Sequence, residues 1–296
     1  MLKVQGLTKT YPGGRGIADV TFEVERGEVF GFLGPNGAGK STTIRHIMGF
    51  MKPDRGSVAI GGLDVWKHQS EVQKLVGYLP GEIAFLDGMT GRGFLEFVAR
   101  MQRVDSRVKR DLLIERLQFD ADTPIRKMSK GMKQKVGIVA AFMHDPAVIV
   151  LDEPTSGLDP LMQQLFIELV LEEKAKGTTF LMSSHSFPEI ERTCDRAAII
   201  KDGRIVAVNN MHELQSMQRK VIEILFEKEA DAVAFMGAEG VHAESRDGSR
   251  VRAAVQGDYD ALIREAAKYR IRSLDVAVQN LEDVFMHYYD RKGASR

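Results

Sequence analysis

The segment Gly34-Pro-Asn-Gly-Ala-Gly39-Lys40-Ser41-Thr42 constrains this chain more than any other. It matches G-x-x-x-x-G-K-[ST]. An apolar run, Glu28–Leu33, enters it, and a helical pattern from about Gly39 to Met48 leaves it. Glycines at 34, 37 and 39 let the backbone curl, so that the N–H groups of the loop, that of Asn36 included, point inward at phosphate oxygens. Lys40 supplies a cation for the β and γ phosphates. Ser41 offers a hydroxyl to Mg²⁺, a hard ion that takes oxygen ligands. Thr42 completes the motif, and the helix that starts here aims its positive end at the anion. The chain is therefore expected to bind a nucleoside triphosphate with Mg²⁺.

A second element supplies carboxylates. Val148-Ile-Val-Leu-Asp152-Glu153-Pro154 is an apolar strand that ends in two acids. In a P-loop fold, a carboxylate at a neighbouring strand end serves the metal and its water. Asp152 takes that place. Glu153, one residue on, leaves the strand and can face the γ-phosphate as general base to an attacking water.

Around these motifs, strands and helices alternate. Asp19–Glu25, Ser57–Ile60 and Val76–Leu79 read as short strands, and Gly61-Gly62 closes an arm of a hairpin. Helices capped by Thr90 and Ser129, with a third around Leu112–Leu117 between them, form an insertion over about residues 88–145. The apolar run Ala147–Leu151 suits a buried parallel strand. Thr178–Ser183, Ala197–Lys201 and Arg204–Val208 follow as strands, with Phe187–Thr193 as a short helix. The fold class is α/β: a RecA-like P-loop core with an antiparallel β subdomain and a helical insertion, over residues 1–215. A break near Leu214–Arg219 precedes a small α+β module, 216–296, whose pattern closes with a helix over Leu281–Tyr289.

Composition narrows the function. Lys+Arg and Asp+Glu are both 41, so the net charge is zero, and nucleic-acid binding by bulk positive charge is not expected. The one cysteine, Cys194, excludes an internal disulfide framework and suits a reducing compartment, where it serves as a buried small apolar residue. No apolar segment reaches the ~18 residues of a spanning helix, and the first ten residues lack the apolar core of a secretory signal.

Four further segments stand in the order of one family. Met128-Ser129-Lys130-Gly131-Met132-Lys133-Gln134 resembles the L-S-G-G-Q signature of ATP-binding cassette (ABC) ATPases. Ser156-Gly157-Leu158-Asp159 resembles their D-loop. His185, after Met182-Ser183-Ser184, resembles their switch histidine, and Tyr11 sits where the family places an aromatic that stacks on adenine. The resemblance covers about residues 2–215. It implies ATP as the nucleotide and two cassettes closed head to tail, as a homodimer or a pair with a similar chain. In that pair the signature residues Ser129, Gly131 and Gln134 act in trans, and Ser129 and Gly131 contact the γ-phosphate held by the other cassette. Glu153 is then the base, and His185 touches the γ-phosphate. The resemblance further implies an ATPase subunit on the cytoplasmic face of the membrane, powering transport through separate transmembrane permease subunits.

Two departures stand out. Lys130 replaces a glycine of the family signature, a variant familiar from bacterial drug and bacteriocin exporters. Tyr78-Leu-Pro-Gly81-Glu82 lacks the usual glutamine of the Q-loop, and Glu82 is expected to take over part of its metal or water contact. The helical insertion is basic, with twelve Lys/Arg against six Asp/Glu from Arg92 to Lys135. This is a solvated helix face, or a surface for a membrane subunit beside anionic lipid. The C-terminal module shows no nucleophile or metal spacing. His242 and His287 are isolated, and Leu281–Phe285 resembles the closing segment of single-cassette exporter ATPases. Two other classes stay open: a soluble ABC ATPase acting on a ribosome or DNA, and a regulatory cassette that does not hydrolyse.

Overall fold

The most apolar strands form the centre of the first unit, residues 1–211. In the computed structural model, which describes residues 1–13, 16–86, 88–216, 220–238, 241–255 and 259–278, β1 (Leu2–Thr10), β2 (Gly16–Val24) and β3 (Val29–Leu33) open the chain. Next come α1 (Lys40–Ile47), β4 (Arg55–Ile60), β5 (Leu63–Asp64), α2 (Gln69–Leu75) and β6 (Val76–Leu79). Three helices follow within the expected insertion: α3 (Gly91–Gln102), α4 (Arg107–Arg116) and α5 (Lys130–Phe142). The unit closes with β7 (Val148–Asp152), α6 (Pro160–Ala175), β8 (Thr179–Ser184), α7 (Phe187–Thr193), β9 (Arg196–Lys201) and β10 (Arg204–Asn210).

Two sheets result. The larger has the order β10-β9-β3-β8-β7-β6, parallel throughout except for the β9–β10 hairpin at one edge. All five residues of β7 and all six of β8 are buried, as a strand covered on both faces requires. The smaller sheet is antiparallel, β2-β1-β4-β5. Its inner face and the larger sheet share one core, in which Phe22 stacks on Phe30 with ring centroids 5.1 Å apart. On the other side of the larger sheet, Phe142 of α5 packs edge-on against Phe166 of α6 and tilted against Phe180 of β8. Cys194 lies buried against Gly31, and burial pushes its thiol pKa up to about 12.

The register aligns the carboxyl ends of three neighbouring strands. Leu33 of β3 pairs with Ser184 of β8, and Ser183 of β8 with Asp152 of β7. The segments that leave these strands, 34–39, 153–159 and 185–186, therefore gather at one edge, where open α/β sheets bind ligands.

The second unit, from residue 212, is a four-stranded antiparallel sheet with helices on one face. After the turn of helix α8 (Met211–Ser216) come β11 (Lys220–Phe226), α9 (Glu229–Met236), β12 (His242–Asp247), β13 (Arg250–Val255), α10 (Asp260–Ala266) and β14 (Ile271–Val278), in the spatial order β12-β13-β11-β14. Ile222, Ile224 and Phe226 meet Phe235 of α9 and Leu262 of α10 in its core. His242 is exposed. The helix expected over Leu281–Tyr289, with His287 and the Leu281–Phe285 segment, lies outside the described residues. Among the described residues no helix is long and apolar enough to cross a membrane.

Candidate nucleotide site

The phosphate loop runs from β3 into α1, and two kinds of glycine shape it. Gly37 and Gly39 have φ of 81° and 109°, a region that L side chains rarely adopt. Gly34 is glycine for space: a Cβ there would stand 2.5 Å from the Ile200 carbonyl oxygen of β9. Asn36 and Gly37 are exposed at the tip, and Thr42 is half-buried in the first turn of α1.

Lys40 is only 5% exposed. Its Nζ donates to the carbonyls of Gly34 at 2.6 Å and Pro35 at 3.2 Å, and stands 3.2 Å from Glu153 Oε1. Inside the curl of the loop, a buried cation is thus held by oxygens that phosphate oxygens can replace.

Glu153 follows β7 with a φ of 52°. For a residue with a Cβ this conformation costs about 1–2 kcal/mol, and the strand-end pairing holds it: its N–H points at the Ser183 carbonyl and Oγ, both at 3.2 Å. The kink separates the two adjacent carboxylates. Asp152, 4% exposed, accepts a 2.5 Å hydrogen bond from Ser183 Oγ. Glu153 joins Lys40 on one side and His185 on the other, with His185 Nδ1 2.5 Å from Oε2. Lys40, Glu153 and His185 thus form one continuous polar chain across three strand ends.

Ser41 and Asp152 line one cleft of about 770 Å³, together with Tyr78, Gly81 and Glu82. Burial and the nearby Asp152 charge push the Tyr78 phenol up to about 12, so it stays neutral. A hydroxyl and a carboxylate at a phosphate loop are the oxygen donors that Mg²⁺ accepts. Among the described residues no group of three or more His, Cys, Asp or Glu could cage a metal. The donor set fits an ion that keeps waters and takes its remaining ligands from substrate phosphates. Glu82, exposed on the loop after β6, lies at this cleft.

The remaining sequence-derived residues are placed as follows. Tyr11 Oη donates to Met51 Sδ at 3.6 Å. Asp159 caps α6, accepting from the Met162 N–H at 3.0 Å. Ser129 caps α5 from an exposed position, accepting from the Met132 N–H at 3.2 Å. Gly131 lies against the Gly157 carbonyl, where a Cβ would be 2.7 Å from the oxygen. Gln134 is 4% exposed, and its Nε2 donates to the Pro154 carbonyl of its own chain at 2.7 Å. That amide therefore has a partner within its own chain.

Three residues of the site were not singled out from the sequence: Ser183, Ser184 and Glu189. The serines end an apolar strand, and alternation sends them to opposite sides: Ser183 to Asp152, Ser184 to Glu189. Glu189 is 7% exposed; its Oε2 accepts from Ser184 Oγ at 2.6 Å, and Oε1 has no hydrogen-bond partner. Burial raises its pKa above the usual carboxylate value, although the Ser184 hydroxyl opposes the shift.

The folded chain therefore keeps the Glu189 proton at pH values where the unfolded chain has lost it. Its contribution is complete below the unfolded pKa and is lost as pH rises through the folded one. Glu189→Gln should leave the melting temperature little changed at about pH 4 and raise it relative to the parent at about pH 8. Equal shifts at both pH values in thermal melts would mean that the carboxyl is not protonated in the fold.

Comparison with known proteins agrees with this geometry. The ABC transporter family model matches residues 17–156. The chain is 31% identical to the linearmycin resistance ATP-binding protein of Bacillus subtilis, over 98% of this chain and 99% of that one. It is 33% identical to the bacitracin transport ATP-binding protein of Bacillus licheniformis, over 80% and 78% of the two chains. It is 31% identical to a Nod factor export ATP-binding protein of Ralstonia nicotianae, over 99% and 94%. A solved ATP-binding subunit of an ABC transporter superposes with a TM-score of 0.68 at 34% identity, covering 73% of this chain and 92% of that one.

Proposed function

This chain belongs to the ABC transporter family of ATP-binding cassettes, and on that premise we propose how its own residues divide the work. It is an ATP-binding and ATP-hydrolysing subunit that powers transport through separate membrane subunits. The observation that carries the division of roles is the Lys40–Glu153–His185 chain at the carboxyl ends of β3, β7 and β8.

The backbone N–H groups of Gly34 to Thr42 hold the β and γ phosphates, and Lys40 exchanges carbonyl partners for phosphate oxygens. Tyr11 stacks on the adenine. Ser41 and Asp152 hold Mg²⁺, and Glu82 shares in its water shell. The ion, when bound, neutralises charge that builds on the phosphates. Glu153 takes the proton of the attacking water, and His185, hydrogen-bonded to it, fixes its carboxylate and touches the γ-phosphate. Ser129 and Gly131, at the amino end of α5, bind the γ-phosphate held by a second cassette, and Asp159 shapes the segment beside them. Phosphate then forms part of the interface, so its hydrolysis releases the pair.

We further propose that the direction is export and that the chain works at the cytoplasmic face of the cell membrane. The names of relatives that span nearly the whole chain support the direction: one is a linearmycin resistance ATP-binding protein and one a Nod factor export ATP-binding protein. Residues 1–215 are read as the cassette, and 216–296 as an accessory module.

Purification from detergent-solubilised membranes tests the partner. The tagged chain should bring down a polytopic membrane protein in fixed proportion. Recovery with ribosomes alone would overturn the transporter reading.

A further inference from the structure

One turn of α5 grips the chain's own acidic strand end at several points. Lys130 Nζ donates to Ser156 Oγ at 2.9 Å. The methylenes of Lys130 cover Gly157, where a Cβ would stand 3.1 Å from both Cγ and Cδ. Gly131 presses on the Gly157 carbonyl, and Gln134 donates to the Pro154 carbonyl. Positions 130 and 134 are one turn apart and share a helix face. Ser156 itself donates its N–H to the Glu153 carbonyl at 3.2 Å, closing the turn that carries the base. The amino end of α5 and the segment 153–157 are therefore packed and hydrogen-bonded to one another.

We propose that Lys130 is a positioning residue that couples the two ATP sites of the cassette pair. This rests on the head-to-tail arrangement set out above. There, Ser129 and Gly131 answer to phosphate held by the partner, while Glu153 answers to phosphate held by its own loop. Lys130 joins the two within one chain. When the partner's phosphate seats α5, the lysine arm carries the 153–157 turn with it and sets Glu153 for its own site. A glycine at 130 has no side chain to reach Ser156, and only Gly131 and Gln134 would then transmit the displacement.

The coupling is read from the ATP dependence of hydrolysis by the full-length chain, because two sites that favour each other's occupation give a Hill coefficient above unity. In Lys130→Gly, ATP affinity of the single chain, measured by analogue fluorescence, should stay within about twofold. The Hill coefficient should fall towards unity, and kcat should fall with it, because Glu153 is then less often set for its water. Lys130→Arg should restore both, since its guanidinium also reaches Ser156. Ser156→Ala should reproduce the loss, and the double variant should add nothing to it. A Lys130→Gly variant as cooperative as the parent would overturn the proposal, as would additive losses in the double variant. A parent that hydrolyses without cooperativity and forms no ATP-dependent dimer would overturn the head-to-tail reading, and the proposal with it.

Discussion

Glu153→Gln should bind ATP with nearly the parent affinity and hydrolyse it about 10²–10⁴ times more slowly, the usual loss when a general base is removed. The amide keeps the size of the side chain and can still meet His185, but it cannot take a proton from water. On the proposed arrangement, in which phosphate joins the cassettes until it is hydrolysed, the variant should also accumulate as a dimer in ATP and Mg²⁺, visible by size-exclusion chromatography with light scattering. If it stays monomeric there, phosphate does not join two copies of this chain. If it hydrolyses at the parent rate, the proton goes elsewhere, and Glu153 serves only to hold Lys40 and His185.

Two glycines of the phosphate loop should differ in their response to a side chain. At Gly34 an added methyl meets the Ile200 carbonyl at 2.5 Å, with Ile200 Cγ2 at 2.9 Å. The loop must lift off β9, at a cost of about 1–3 kcal/mol for such overpacking. If the strain falls on the bound conformation, Gly34→Ala loses about ten- to a hundredfold in ATP affinity. Gly37 has open space within 4 Å and needs only its positive φ. Asparagine tolerates that region, so Gly37→Asn should bind ATP within about threefold of the parent, a strain of no more than about 0.7 kcal/mol. Titration with a fluorescent ATP analogue distinguishes them. Equal losses would mean that both positions act through backbone conformation.

Legibility followed the physics of each segment. The phosphate loop and the acidic strand end were readable because their chemistry needs fixed residue types at fixed spacing. The buried strand β7 was readable because an unbroken apolar run has few alternatives. β1 was not singled out: Leu2, Val4 and Leu7 are its fully buried residues, and a register shift between Val4 and Leu7 breaks the two-residue period. α2 was missed because only Val72 of its seven residues is buried, which leaves no apolar stripe to detect. Within the site, residue types were legible but partners were not. Nothing in Gln134 itself says that its amide turns to Pro154 of its own chain, and nothing in Ser183-Ser184 says which serine meets which carboxyl. Those choices depend on the φ of Glu153 and on strand register, which arise only when β7 and β8 lie side by side.

The burial of Cys194 has a practical consequence. Thiol reagents attack the thiolate, and the one cysteine of the sequence is shielded from solvent and held as the thiol. The unaltered chain is therefore a quiet background for maleimide chemistry. A single cysteine placed at the exposed Val108 of α4, which has no part in phosphate binding, would carry a fluorophore without competition from a native site. The approach of one cassette to another could then be followed in real time, in a protein that needs no prior removal of its own sulfhydryl.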